Sequence, residues 1–202
     1  VERPSSDQRL VVVEDAPDRS YTYAEQRSTV QAIATSYGEP FAYLPEHRPF
    51  RAIDGDPTTS WMVGEHGNPI GEALQLWHPP LDVDGEMHLR VPDPAGGRRI
   101  TEIRVRFDDL SGRLIDEQSV VLGDEALRGQ MVPVPARTTT TTITITAVGG
   151  GEPFSAGAIA GVGFSEIDLG LDVGREVVRV PSDATTDLAP RTPLAYVFTR
   201  WR

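Results

Sequence analysis

The chain of 202 residues contains no cysteine, so it can form neither a disulfide framework nor a thiolate metal site. No apolar run approaches the roughly 18 residues that a membrane-spanning helix needs, and no signal peptide opens the sequence. Nor is there a nucleophile elbow, and the histidines lack the spacing of a zinc motif such as HExxH; these are His47, His66, His78 and His88. The sequence therefore argues against a zinc enzyme and a serine hydrolase.

Positive charge is scarce as well. Nineteen Lys and Arg face 30 Asp and Glu, for a net charge of −11. Nucleic-acid binding needs clustered cations, and an anionic membrane surface would repel such a chain. The composition thus excludes nucleic acid and favours a neutral ligand or a cation as partner. Because the chain begins at Val1 and not at methionine, we expect it to be a piece of a longer protein. Any association with a membrane would then come from the other parts of that protein.

Proline and glycine are abundant, at 17 and 19 residues, and no long helical pattern interrupts them. Such a composition is typical of short strands joined by turns, which predicts an all-β fold. Hydrophobic residues make up 39% of the chain, enough to bury a core. Period-two alternation and β-branched residues predict strands at Val30–Ala34, Glu72–Trp77, Glu86–Val91, Ile100–Phe107, Gln118–Leu122, Gln130–Val134, Thr139–Ala147 and Gly161–Ile167.

Such a set of strands predicts a jelly-roll sandwich over residues 30–171, between an N-terminal flank (1–29) and a C-terminal strand and tail (172–202). Asp84-Gly85 is a good hairpin turn between the second and third strands. In the flanks, we expect strands at Leu10–Glu14 and Glu176–Val180 to pair with each other.

A run of threonines from Thr138 to Thr142 continues with alternating isoleucine and threonine. β-Branched residues favour extended backbone, so the run predicts a strand and not a low-complexity linker. Period two places Ile143 and Ile145 on one face. The three glycines that follow, Gly149 to Gly151, predict a flexible loop.

The segment from Arg51 to Trp61, RAIDGDPTTSW, concentrates acids, hydroxyls and turn formers. Gly55 can adopt positive φ and Pro57 fixes its own φ, so the segment predicts a loop. Its carboxylates, hydroxyls and carbonyls are the oxygen ligands that calcium prefers. The alternative is a turn satisfied by its own Asx hydrogen bonds, with Trp61 in the core.

The pattern Ala-x-Asp-Gly-Asp-x-x-Thr-x-Trp, at Ala52 to Trp61, resembles the signature of coagulation factor 5/8 type C, or discoidin-like, domains. Ala34-Thr35-Ser36 lies before this pattern and the closing run IAGVGFSEIDL lies after it, in the same order as in the family. The resemblance implies a galactose-binding-like β-sandwich, a fold shared by many bacterial carbohydrate-binding modules, with Trp61 in its core. It also implies a structural calcium whose ligands come from the Arg51 carbonyl, Asp54, Asp56, Thr59 and Glu166.

A sugar site needs an aromatic face surrounded by hydrogen-bonding groups. After Trp61 the chain offers His66 and Asn68, and the end of a predicted strand offers Trp77. We therefore predict that these residues line a shallow pocket near the calcium loop. The alternative is that Trp77 is a core residue, or packs on the prolines that follow it, and that His66 is an ordinary loop residue.

The closing TPLAYVFTRWR, together with the type C-like domain, is similar to the C-terminal part of the large membrane arabinofuranosyltransferases of actinobacteria. The expectation is a non-catalytic module that binds arabinan-like cell-wall glycan, in a larger glycosyltransferase on the extracytoplasmic side of the plasma membrane. The chain itself shows no catalytic constellation. The main alternative is a structural domain that packs on its parent and binds no free glycan; an independent glycosidase ranks below both.

Overall fold

The computed structural model describes residues 23–39, 44–93 and 96–179. In these ranges the chain forms β-strands and short 3-10 turns, and none of its helices is long or apolar enough to cross a membrane. The strands are β1 (Tyr23–Arg27), β2 (Gln31–Ala34), β3 (Trp61–Val63), β4 (Ala73–Trp77), β5 (Gly85–Arg90), β6 (Arg98–Asp108), β7 (Leu114–Val121), β8 (Gln130–Val134), β9 (Thr140–Gly150), β10 (Val162–Phe164), β11 (Glu166–Asp168) and β12 (Arg175–Arg179). The 3-10 turns are Pro45–His47, Pro49–Ala52, Asp124–Leu127 and Ala156–Ala158.

Two antiparallel sheets enclose the core. The larger has five strands in the order β2-β4-β9-β6-β7, and the smaller has three in the order β11-β5-β8. Alternate residues of each sheet point inward, so Leu74, Ile103 and Ile143 of the larger sheet share one core with Met87 and Leu89 of the smaller. This arrangement is a jelly-roll β-sandwich, which confirms the predicted all-β fold.

The threonine run forms β9, in the middle of the five-stranded sheet. Ile143 and Ile145 are fully buried while Thr144 between them faces outward, as period two predicted. The loop predicted at Gly149 to Gly151 is wrong in part, because Gly149 and Gly150 continue β9 opposite β6. Gly150 has φ 83°, and an added Cβ would lie 2.9 Å from a carbonyl oxygen of that partner segment. Glycine is therefore what lets the ladder extend this far.

The hairpin predicted at Asp84-Gly85 is also wrong. β4 lies in the five-stranded sheet and β5 in the three-stranded sheet, so the connection crosses from one sheet to the other. The Asp84 carboxylate accepts a hydrogen bond from the Ala136 amide at 2.8 Å, and Leu81 packs against the core. Tertiary contacts thus override the local turn preference.

The strand predicted at Gly161–Ile167 is divided between two sheets. β10 pairs with β3, and β11 pairs with β5. Between them, the Ser165 amide donates to the Arg90 carbonyl at 2.9 Å. Because of this break, Glu166 lies on β11, the edge strand of the smaller sheet.

The two flanks meet in a small sheet of β1 and β12. β12 lies where a strand was predicted in the C-terminal flank, but its described partner is β1. The segment Leu10–Glu14 and the closing TPLAYVFTRWR lie outside the described residues. The Arg48 guanidinium, next to the turn Pro49–Ala52, pairs with Glu176 of β12 at 2.5 Å. The boundaries at residues 29/30 and 171/172 stay predictions.

Candidate functional site

The loop between Ala52 and Trp61 is held at both ends. It leaves the 3-10 turn Pro49–Ala52 and enters β3 at Trp61. Trp61 is fully buried, stacks on Phe164 with ring centroids 5.8 Å apart, and donates from its indole nitrogen to the Ser36 carbonyl at 3.0 Å. The core position implied for Trp61 is confirmed, and the loop before it is fixed to the sandwich.

Oxygen atoms crowd around the Thr59 hydroxyl. Both carboxylate oxygens of Asp54 lie 2.9 Å from Oγ1, the Asp56 carbonyl lies at 3.1 Å and the Arg51 carbonyl at 3.4 Å. The Thr59 hydroxyl has one proton to donate, so it can donate to only one of these oxygen atoms at a time. Such a set of hard oxygen ligands suits a cation such as calcium.

Glu166 reaches the same loop from β11. The Gly55 amide donates to its carboxylate, yet its Oε2 is buried without a hydrogen-bond partner among the described residues. Burial, reinforced by the negative charges of Asp54 and Asp168, raises the pKa of Glu166 to about 7. A buried acceptor left in this state destabilises the fold unless a proton or a cation satisfies it.

The Asx turns of the alternative interpretation are present too. Asp54 accepts from the Asp56 amide at 3.1 Å, and Asp56 accepts from the Thr58 amide and hydroxyl at 3.0 and 2.6 Å. Asp56 therefore presents its carbonyl, and not its carboxylate, to Thr59. The Arg51 guanidinium pairs with Asp54 at 3.0 Å and neutralises part of the charge.

A cleft of about 570 Å³ opens beside this loop, between β5, β11 and the segment 171–173. Asp54 and Glu166 line it, together with His88, Arg90 and Arg128. An ion could thus enter from solvent, as a functional metal site requires.

A second cluster lies at a loop end of the sandwich. Ligand atoms of Glu39, Glu65 and His66 all lie within 4.8 Å of one another, and His66 Nδ1 is 3.3 Å from a Glu39 oxygen. The Arg98 guanidinium holds this loop by donating to the Gly64 and Gly67 carbonyls at 2.6 and 3.0 Å. Glu39 and Glu65 are far apart in sequence, so no local pattern could have predicted that they meet.

The neighbouring loop, between β9 and β10, presents Phe154 to solvent. Its ring is fully exposed (106%) and its φ is 63°. The loop ends beside the cluster of Glu39, Glu65 and His66, because the Ile159 carbonyl accepts from the His66 amide at 2.8 Å and the Ala160 carbonyl accepts from Arg98 at 2.8 Å. The sequence interpretation missed Phe154, although an aromatic residue in a Gly-Pro-Ser loop is a signal that could have identified it.

The structure places the predicted sugar-binding residues in two places. His66 and Asn68 share one loop, where the Asn68 side chain accepts from the Ile70 amide at 3.1 Å and shapes the turn. Trp77 lies at the other end of β4, about 13 Å along the strand from Ala73, the end nearest that loop. It is 43% exposed, so it is not a core residue. The prediction that Trp77 lines the same pocket is therefore corrected.

No family model and no curated protein matches the chain. Among solved structures it is similar to arabinofuranosyltransferase AftD from Mycobacteria, with a TM-score of 0.56 and 19% identity over 79% of this chain but only 12% of AftD. The chain has the fold of that part of AftD. The family 32 module of C. perfringens NanJ in complex with galactose matches with TM-score 0.46 and 16% identity over 72% of this chain and 93% of the module. A pectin-binding module matches with a TM-score of 0.47 and 13% identity over 69% of this chain and 88% of the module.

The similar solved structures thus include an arabinofuranosyltransferase, as the sequence resemblance implied, and carbohydrate-binding modules.

In calcium-free protein, we expect the free energy of unfolding to fall by about 1–2 kcal/mol as the pH rises from 4.5 to 7.5. The Glu166→Gln variant should not show this fall. The pKa of Glu166 is about 7 in the folded state, against an ordinary value of 4.5. In this window the folded state keeps a proton that the unfolded state has released, so stability falls as pH rises. Urea denaturation in chelator at several pH values measures the effect.

The matched control is Glu125→Gln, at an exposed site, which should keep the wild-type pH profile. If the pH profile of Glu166→Gln equals that of wild type, the raised pKa of Glu166 is not the source of the pH dependence.

Proposed function

We propose that the chain is a non-catalytic glycan-binding module that recognises arabinan-like cell-wall polysaccharide through the loop end carrying Glu39, Glu65 and His66. The observation that carries the proposal is the meeting of two carboxylates and an imidazole beside a loop that presents Phe154. A sugar offers hydroxyls around an apolar ring face. Carboxylates accept from hydroxyls, imidazole can donate or accept, and an aromatic ring covers the apolar face.

Rigidity of the loop supports this function. Arg98 donates to carbonyls of both loops, so the polar groups are positioned before a ligand arrives. A site formed in advance loses less entropy on binding. The net charge of −11 agrees with a neutral ligand and not with an anionic one.

The parent protein is part of the proposal. The chain spans 12% of the AftD chain that it resembles, and AftD is named an arabinofuranosyltransferase. We infer that this chain is likewise one module of a larger glycosyltransferase, on the extracytoplasmic side of the membrane. Its task there would be to hold the polymer while other parts of the parent perform the chemistry.

We also propose that a calcium ion stabilises the loop. The Arg51 and Asp56 carbonyls, Thr59 and the carboxylates of Asp54 and Glu166 would hold it. The unpartnered Oε2 of Glu166 and the facing oxygens around Thr59 support the fit. The role is structural: a divalent ion would neutralise the two carboxylates and tie the loop to β11.

Replacing Phe154 or His66 with alanine should each weaken binding of linear arabino-oligosaccharides at least about tenfold, equal to about 1.4 kcal/mol. Loss of Phe154 removes the apolar platform, and loss of His66 removes a hydrogen-bonding group. Isothermal titration calorimetry measures the affinity. Leu110→Ala is the control, since Leu110 is also a highly exposed apolar residue (88%) but lies on the β6–β7 turn.

Titration against a panel of arabinan, galactose, pectin and chitosan decides between the proposal and its main alternative. Saturable binding that both variants weaken supports the glycan module. Binding to no member of the panel would instead favour a domain that packs on its parent.

A further inference from the structure

The outward face of the five-stranded sheet carries an immobilised tryptophan. Leu74 and Leu76 of β4 point to the core, so Gln75 and Trp77 point outward, and the indole is 43% exposed. Its Nε1 donates to Gln75 Oε1 at 3.1 Å, and Gln75 Nε2 donates to Thr142 Oγ1 of β9 at 3.0 Å. This relay across two strands fixes the plane of the indole. An exposed aromatic ring that is already oriented loses little entropy when a ligand covers it.

The register of the sheet continues this face away from the indole. Gln75 lies opposite Thr142, Thr142 opposite Arg106 and Arg106 opposite Glu117. Arg106 is itself fixed, because its Nε and Nη2 donate to the Asp108 carboxylate at 2.7 to 3.0 Å. The face is thus a row of immobilised amide, hydroxyl and guanidinium groups.

The chemistry of this face selects a neutral, hydroxyl-rich occupant. Asp108 pairs with Arg106, and Glu117 acts on the same guanidinium, so the face offers no unbalanced cluster of one sign for a charged ligand. The row formed by Gln75, Thr142, Arg106 and Glu117 is polar, and the apolar side chains of this face other than the indole lie on its two edge strands, at Ile33 of β2 and at Leu114 and Val121 of β7. The buried centre of a protein interface is richer in apolar groups. Neighbouring strands lie about 4.8 Å apart and Arg106 is offset by two residues from the position level with Trp77, so the two residues are separated by about 12 Å. This span suits a short stretch of polysaccharide better than a single sugar.

We propose that this face is a second glycan-binding surface, on which a neutral polysaccharide chain crosses β4, β9 and β6 with a sugar ring stacked on Trp77. The inference rests on the proposed glycan-binding function but uses a different part of the molecule. Two surfaces on one module would bind a polymer with a higher effective affinity than a short oligosaccharide, which can occupy one surface at a time.

The test compares debranched arabinan polymer with arabinotriose, using affinity electrophoresis for the polymer and calorimetry for the trisaccharide. Trp77→Ala should weaken polymer binding at least about tenfold and leave trisaccharide binding at the loop end unchanged. Trp77→Phe keeps an aromatic face but loses the hydrogen bond to Gln75, so its polymer affinity should lie between that of wild type and that of Trp77→Ala. Because Trp77 is a surface residue, thermal denaturation should show that both variants fold.

Each outcome is decisive. If Trp77→Ala binds polymer as tightly as wild type while Phe154→Ala binds it more weakly, the loop site is supported and the second surface is overturned. If wild type binds no glycan of the panel, both proposals fall. If sedimentation shows that Trp77→Ala breaks a dimer of the wild-type chain, the face is occupied by a second copy, which also overturns the inference.

Discussion

Calcium is expected to raise the thermal unfolding midpoint of chelator-treated protein by about 5–11 °C once its free concentration reaches about 100 times the dissociation constant. An ion that binds the folded state alone stabilises it by about 2.7 kcal/mol at that concentration. The physical source is the set of oxygens around Thr59 together with Glu166, whose Oε2 has no partner in the described part of the chain. Differential scanning calorimetry with and without chelator measures the shift.

Asp54→Ala should abolish this calcium-dependent rise. In chelator the same change should destabilise the fold by about 1 kcal/mol, because loss of the pair with Arg51 and of the hydrogen bond from the Asp56 amide is partly offset by relief of repulsion on Glu166. Asp109→Ala is the matched control, since Asp109 also closes an Asx turn but lies on the distant β6–β7 connection. A rise that persists in Asp54→Ala, or that is missing in wild type, would overturn the calcium proposal.

Trp61→Ala is expected to destabilise the fold by about 3–5 kcal/mol. The substitution empties the space of a fully buried indole, removes its stacking on Phe164 and leaves the Ser36 carbonyl without its donor. Urea denaturation followed by circular dichroism measures the loss. Trp77→Ala is the matched control, because the same substitution at a surface position usually changes stability by about 0.5 kcal/mol or less.

The effect should extend to the loop. Thr59 lies two residues before Trp61, so a loosened anchor should also reduce the calcium-dependent rise in stability. Equal losses for the Trp61 and Trp77 variants would show that the indole of Trp61 does not anchor this part of the core.

Local patterns were sufficient for much of the strand content. β8 has the predicted bounds, and β9 begins within one residue of its predicted start, because alternation of β-branched and inward residues is a property of consecutive positions. β3 was not predicted, since three residues are too few to show a period. The resemblance carried by the loop signature likewise implied that Trp61 is a core residue, and the residues of that signature are adjacent in sequence.

The sequence by itself therefore determined the all-β class, most strands and the oxygen-rich loop, each of which depends on residues near one another in the chain. The tertiary structure alone decided that Asp84-Gly85 crosses between sheets, that Glu39 meets His66, and that Trp77 lies on a separate face. These features depend on which strands pair and in which register. Pairing is chosen by the free energy of burying the whole core, to which distant segments contribute together.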